Sequence, residues 1–187
     1  MTTRFRSTEL LHHDPTNGKN PMNNERFNTL SRGLLVAFAC AGAMVAVPAM
    51  AQTARPTLDL ATARMMADAC ERHAKEKGWR MIIAINDEAG NPKHFSRMDG
   101  SILISIRVAQ LKADTSAGAP FSTRQFRELS KTVIGAELIP STSTIIGGLP
   151  IVTSKGAHIG SIGVSGGSEE EDEVCAQKAL DAVKHLM

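Results

Sequence analysis

GGLPIVTSKGAHIGSIGVSGG, running from Gly147 to Gly167, sets seven glycines around two short apolar runs. A phosphate-cradling P-loop needs a lysine directly after its last glycine, and here Lys155 comes before Gly156. The dinucleotide fingerprint G-x-G-x-x-G fails as well, because Gly160, Gly163 and Gly166 recur every third position. What remains is a hairpin. Strands are predicted near Pro150–Ser154 and His158–Ser165, turned by Lys155-Gly156-Ala157, with glycines admitting close backbone approach. Gly166-Gly167 then leads into Ser168, which with Glu171 forms a capping box for a last helix. The amides of that helix start could attract an anion, but Glu169, Glu170 and Glu171 already place negative charge there.

Working outward, the apolar run Met81–Ile85 does not alternate, which predicts a strand covered on both faces. Asp87–Pro92 is dense in turn formers and returns the chain into a second strand, Lys93–Met98. A helix capped by Thr57 precedes this hairpin and ends at Gly78, with Ala63, Met66, Cys70 and Ala74 at helical spacing. Another helix, capped by Asp99 or Ser101, follows it, with Ile102, Ile106, Ala109 and Ala113 along one stripe. Gly118-Ala119-Pro120 stops that helix, and Ser122 with Gln125 caps a short third one. Pro140–Thr144 reads as a hydroxyl-rich loop. The order of elements predicts a single α+β domain, a central antiparallel sheet flanked by helices.

The N-terminal third reads differently. Arg26 and Arg32 precede an apolar run, Leu34–Val47, and Pro48-Ala49-Met50-Ala51 offers a small-residue cleavage site. Residues 1–51 are therefore read as a secretory signal peptide, with Met22 as an alternative start, and residues 52–57 as a flexible mature N-terminus. Ala37 stands where a lipid-modified Cys40 would need a leucine-like residue, so no stable membrane anchor is expected. The product is expected to be periplasmic or secreted. Beyond Ala51, acidic and basic residues are equal in number, and with no Tyr and one Trp the chain lacks the features of a nucleic-acid binder. Cys70 and Cys175 remain. They read as buried helix residues, with a disulfide as the alternative in an oxidising compartment.

Four segments stand in order: Arg97-Met98-Asp99-Gly100, Lys112-Ala113-Asp114-Thr115, Gly147-Gly148-Leu149-Pro150-Ile151 and Ile162–Gly167, followed by Glu171-Asp172-Glu173. Together they resemble the GlcG/HbpS family of haem-binding-type domains over Leu58–Met187. The resemblance implies a compact α+β fold, assembly into homo-oligomers, and functions that range from extracellular haem binding to corrinoid-associated accessory roles. Haem or a related tetrapyrrole needs an iron ligand, cations for its propionates and an apolar wall. The resemblance points to Thr115 as an iron ligand, although a helical threonine also bonds its own backbone. His94 is the imidazole candidate. Arg97 and Lys112 offer charge to a carboxylate, Asp99 either caps or contacts ligand, and Gly147 and Gly148 are read as a pocket rim.

These readings converge on an exported small-ligand-binding protein with its cleft near Gly147-Gly148 and the second helix, assembled as a homo-oligomer. Two alternatives stand beside it: an enzyme acting on a small organic acid, and a noncatalytic partner protein. No G-x-S-x-G elbow or activated thiol motif marks a catalytic nucleophile.

Overall fold

The computed structural model describes residues 54–187. The signal peptide and the Met22 start lie outside the described residues.

Helix α1, Leu60–Lys77, is capped by Asp59, whose carboxylate accepts from Thr62 N at 2.7 Å. The expected cap, Thr57, lies too early because Leu58 is driven into the core, 1% exposed. An apolar residue just ahead of the cap packs under the first turn and fixes where the helix can enter. Gly78 closes the helix at φ 73°. Strand β1, Ile82–Asp87, turns through Asp87, whose carboxylate accepts from Ala89 N and Asn91 N, into β2, Pro92–Arg97.

Helix α2, Ile104–Gly118, has no side-chain cap, and neither Asp99 nor Ser101 serves as one. The Ser101 hydroxyl instead donates to Met98 O at 2.7 Å, which ties it to the turn before the helix. The short α3, Thr123–Ser130, does carry its capping box on Ser122 and Gln125. A 3-10 turn at Ala136–Leu138 precedes β3, Gly148–Val152, and β4, His158–Ser165. Helix α4, Glu169–Val183, begins with the Ser168–Glu171 capping box.

The four strands run antiparallel in the order β2-β1-β4-β3. Alternation divides the sheet into two unlike faces. Ile83, Ile85, Ile162 and Val164 join the main apolar core with Met66, Cys70, Cys175 and Ala179 of α1 and α4. Ile82 and Ala84 meet Ala109 and Ala113 of α2 in a smaller cluster. Small residues on β4 let α2 lie close on this second face. Ser161 Oγ donates to Ala113 O at 2.7 Å, and a Cβ on Gly163 would overlap Ala109 O.

Cys70 and Cys175 are joined in a disulfide with Cα atoms 4.9 Å apart, so the alternative reading is the one realised. It links α1 to α4 beneath the larger core.

Candidate functional site

Lys112 sits at the centre of α2 with its side chain 0% exposed. Its ammonium donates to Val164 O at 2.8 Å and to Asp172 Oδ2 at 2.6 Å. Asp172 Oδ1 in turn accepts from Gly167 N at 3.0 Å. Burial pushes the lysine below its ordinary value, opposed by the charge of Asp172. Burial likewise pushes Asp172 up, opposed by Lys112. Gly147 closes over this pair at φ 125°. A Cβ there would stand 2.7 Å from Asp172 Cβ and 2.9 Å from Lys112 Nζ, so neither the conformation nor the space admits a side chain.

A second layer of bonds holds the chain leading into β3. Arg127 pairs with Glu169 and donates through Nε to Thr144 O at 2.7 Å. Glu169 also accepts from Ile146 N at 3.1 Å, and the Arg127 bond, then that amide, hold its carboxyl below the usual range. Gly148 N donates to Thr123 Oγ1 at 3.0 Å. Thr115 Oγ1 donates to Leu111 O at 2.7 Å and accepts from Ser143 N at 2.8 Å. That hydroxyl both donates and accepts inside the protein, and the residue is 4% exposed.

The structure therefore brings Lys112, Gly147 and Gly148 together with Asp172 and Thr123, and places Thr115 further along the same helix. These residues form a buried polar bracket between α2, α4 and the β3 entry. Lys112 does not present its charge to solvent, and Gly147 and Gly148 are buried rather than lining an open rim. The physical reason is distance in sequence: Asp172 lies sixty residues after Lys112, so the pairing that draws the lysine inward is invisible locally.

Arg97, Asp99 and His94 lie elsewhere, on and just after edge strand β2. Arg97 is exposed, pairs across the sheet with Ile82, and shares the α2 face; its Nε donates to Ser101 Oγ at 3.3 Å. His94 pairs with Ile85 and so shares the opposite face, toward α1 and α4. Asp99 is exposed. Beside Arg97, Phe95 is 42% exposed, and Ile102, Leu103 and Ile104 form an exposed apolar run at the start of α2. Among the described residues no group of three or more His, Cys, Asp or Glu is placed to hold a metal ion.

Two open clefts border α2. One, of about 520 Å³, lies at its C-terminal end between Asp114, Gly118, Ser141 and the Glu88–Gly90 turn. Asp114 accepts from Asn86 Nδ2 at 2.9 Å there, and burial raises its carboxyl above the usual value. The other, of about 380 Å³, lies ahead of its N-terminal end and is lined by Trp79, Arg80, Ser101 and Ile102 with several glycines. Sequence reading missed Trp79 and Arg80. Their signal was position: the only tryptophan in the chain and an arginine stand directly after the glycine that ends α1.

For a tetrapyrrole, these residues fit the periphery better than the iron. Exposed Arg97 and Arg80 suit propionates, and Phe95 with Ile102 and Leu103 gives an apolar surface. Of the two iron-ligand candidates, His94 is partly exposed, whereas Thr115 is buried with its hydroxyl bonded on both sides.

Residues 58–181 match the family profile described as haem degrading protein HbpS-like. The chain is 32% identical over 135 residues to a 15.0 kDa protein of the dhaT-dhaS intergenic region of Citrobacter freundii, covering 70% of this chain and 94% of that one. Protein GlcG of Escherichia coli strain K12 is 31% identical over 96 residues, 51% of this chain and 71% of GlcG. Among solved structures, the Klebsiella pneumoniae protein ORFY superposes with a TM-score of 0.68 at 28% identity, over 74% of this chain and 99% of that one. A double mutant of Streptomyces reticuli HbpS gives 0.66 at 32% identity, over 76% and 98%. A haem complex of PduOC gives 0.62 at 25% identity, over 68% and 95%.

Proposed function

This chain belongs to the HbpS-like family, and from that premise we propose that it is an exported protein that binds haem or a related tetrapyrrole. The observation that carries the reading is the family match, joined by the likeness to a PduOC structure solved with haem. Within the chain, it is supported by the exposed surface of β2 and the α2 start, where Arg97 lies beside Phe95, Ile102 and Leu103. When bound, haem would supply an iron centre. The chain's own part is to meet propionates with guanidinium groups and to cover the apolar ring.

Export is supported by the apolar run Leu34–Val47 and by the Cys70–Cys175 disulfide, since such bonds persist in oxidising compartments. Among the described residues no helix is long and apolar enough to cross a membrane. The species recovered from the periplasm should begin at Gln52 by N-terminal sequencing. Uncut protein confined to the cytoplasm would rule export out.

Haemin titration tests the ligand. A saturable Soret shift at fixed stoichiometry is expected for the wild-type chain. The iron contact is assigned by comparing His94→Ala with Thr115→Ala, because only loss of the ligand changes the bound spectrum. A featureless, non-saturating titration overturns the reading.

A further inference from the structure

Arg80 stands in the cleft of about 380 Å³, and among the described residues no acid pairs with its guanidinium. Among the described residues, the lysines and arginines in ion pairs are Lys75, Lys112, Arg124, Arg127 and Lys131. Its side chain lies across the bare α-carbon of Gly100: Nη1, Cδ and Cζ of Arg80 would be 3.0, 3.1 and 3.2 Å from a Cβ at that position. Gly100 holds φ 76°, so the chain keeps a residue that leaves this space empty. The Arg80 backbone is fixed too, because Gly166 packs directly against its carbonyl.

The other walls divide by chemistry. Trp79 is partly buried, held edge-on against His73 with ring centres 5.4 Å apart, and Ile102 is 60% exposed. The Ser101 hydroxyl donates to Met98 O and accepts from Arg97, so a second guanidinium stands close by. The one acid on the lining, Glu171, keeps its charge but is turned to the α4 cap, its Oε2 accepting from Ser168 N at 2.8 Å, and the two guanidinium groups of Arg80 and Arg97 outweigh it. The cleft volume falls within the range typical of small-molecule sites.

We propose that this cleft binds the carboxylate end of an apolar molecule, with the acid on the Arg80 guanidinium and the body between Trp79 and Ile102. An arginine fork matches a carboxylate in shape and charge, and the flanking apolar side chains give the rest of the molecule a surface to cover. A tetrapyrrole propionate and a small aryl-alkyl acid carry the same chemistry. The site rests on the tetrapyrrole reading only for which of these it takes.

Trp79, the sole tryptophan, reports directly on the cleft. Titrating the purified protein with 3-phenylpropionate should change its emission saturably, while 3-phenylpropionamide should bind at least about tenfold more weakly. Arg80→Gln should weaken the acid by about tenfold or more and leave the amide unchanged, with Arg80→Lys intermediate. Thermal melts confirm that the variants are folded. Equal affinity for acid and amide, an Arg80→Gln variant that binds the acid as well as wild type, or no saturable change at all overturns the site.

A parallel Soret titration uses haemin and haemin dimethyl ester on the same proteins. If haemin binds wild type and Arg80→Gln alike and phenylpropionate fails, the cleft proposal is lost while the tetrapyrrole reading stands. If phenylpropionate binds through Arg80 and haemin does not saturate, the cleft stands as a small-acid site and the tetrapyrrole reading is lost. An ester that binds more weakly than haemin to wild type, but equally to Arg80→Gln, assigns the propionate to Arg80.

Discussion

Lys112 is a cation whose whole environment lies inside the protein, so its replacement tests a charge pair with no help from solvent. Lys112→Met leaves Asp172 buried and unpaired, and should cost about 3–5 kcal/mol in urea unfolding. Lys112→Met with Asp172→Leu should recover much of that loss, because the desolvation cost disappears with both charges. A double variant as unstable as the single one would show that the bonds to Val164 O and Gly167 N matter more than the pairing. Glu169 behaves differently with pH. Its folded carboxyl is held below the ordinary value of 4.5, chiefly by Arg127. The unfolded chain therefore takes up the proton first, and the Glu169 contribution, complete above about pH 4.5, is lost as pH falls through the folded value. Melting temperatures between pH 6 and 3 should fall less steeply for Glu169→Gln than for wild type, beyond whatever offset the substitution itself brings. At this scale the sequence exposed residue types but not their surroundings. Lys112 and Thr115 were recognisable as groups capable of chemistry, yet their partners, Asp172 and Ser143, are distant in the chain. Arg80 went unnoticed because the cleft that gives it meaning is assembled from three separated turns.

Elements were far more legible. Both capping boxes, at Ser122 and Ser168, appear as read, because each motif contains its own partner three residues on. The hairpin of β1 and β2 and that of β3 and β4 followed from turn formers between apolar runs. The misplaced caps have a common cause: tertiary packing overrode a local preference. Leu58 docks into the core and moves the α1 start to Asp59, and Ser101 is spent on Met98 O before α2 begins. The disulfide is the contact between elements that sequence could not settle, since cysteine reactivity depends on a distance. Cys70→Ala with Cys175→Ala should lower unfolding stability by about 2–5 kcal/mol, and reductant should reproduce the loss in the wild type. If dithiothreitol leaves the wild-type melt unchanged while free thiols are detected, the bond does not stabilise the α1–α4 pair.

For the whole molecule, the layered α+β arrangement was foreseeable because its strands come as two hairpins set between helices rather than alternating with them. Which face would carry function was not, since the four ordered segments scatter across buried bracket, edge strand and cleft. Assembly is a proposal at this scale. Val133, Ile134, Leu138 and Ile139 are exposed within one short segment, Ile134 completely, and an apolar patch on a small domain marks an interaction surface. We expect light scattering to give a mass above that of a single chain at micromolar concentration. Ile134→Asp with Leu138→Asp should lower that mass while preserving the fold by circular dichroism. A wild-type protein that remains a single chain across a dilution series would remove the homo-oligomer from the proposal.

The bond between Cys70 and Cys175 spans 105 positions, and every strand of the sheet lies between them. Among the described residues the domain is thus a covalent ring with two short tails. Stretched by its ends in an optical trap, it could pay out only the residues before Cys70 and after Cys175. The first ends to yield would be the N-terminal turns of α1 and the C-terminal turns of α4, while the encircled sheet would bear no direct load. The same pull under reducing conditions should release a far longer tether, so the contour length gained in a single rip would report whether the ring is closed.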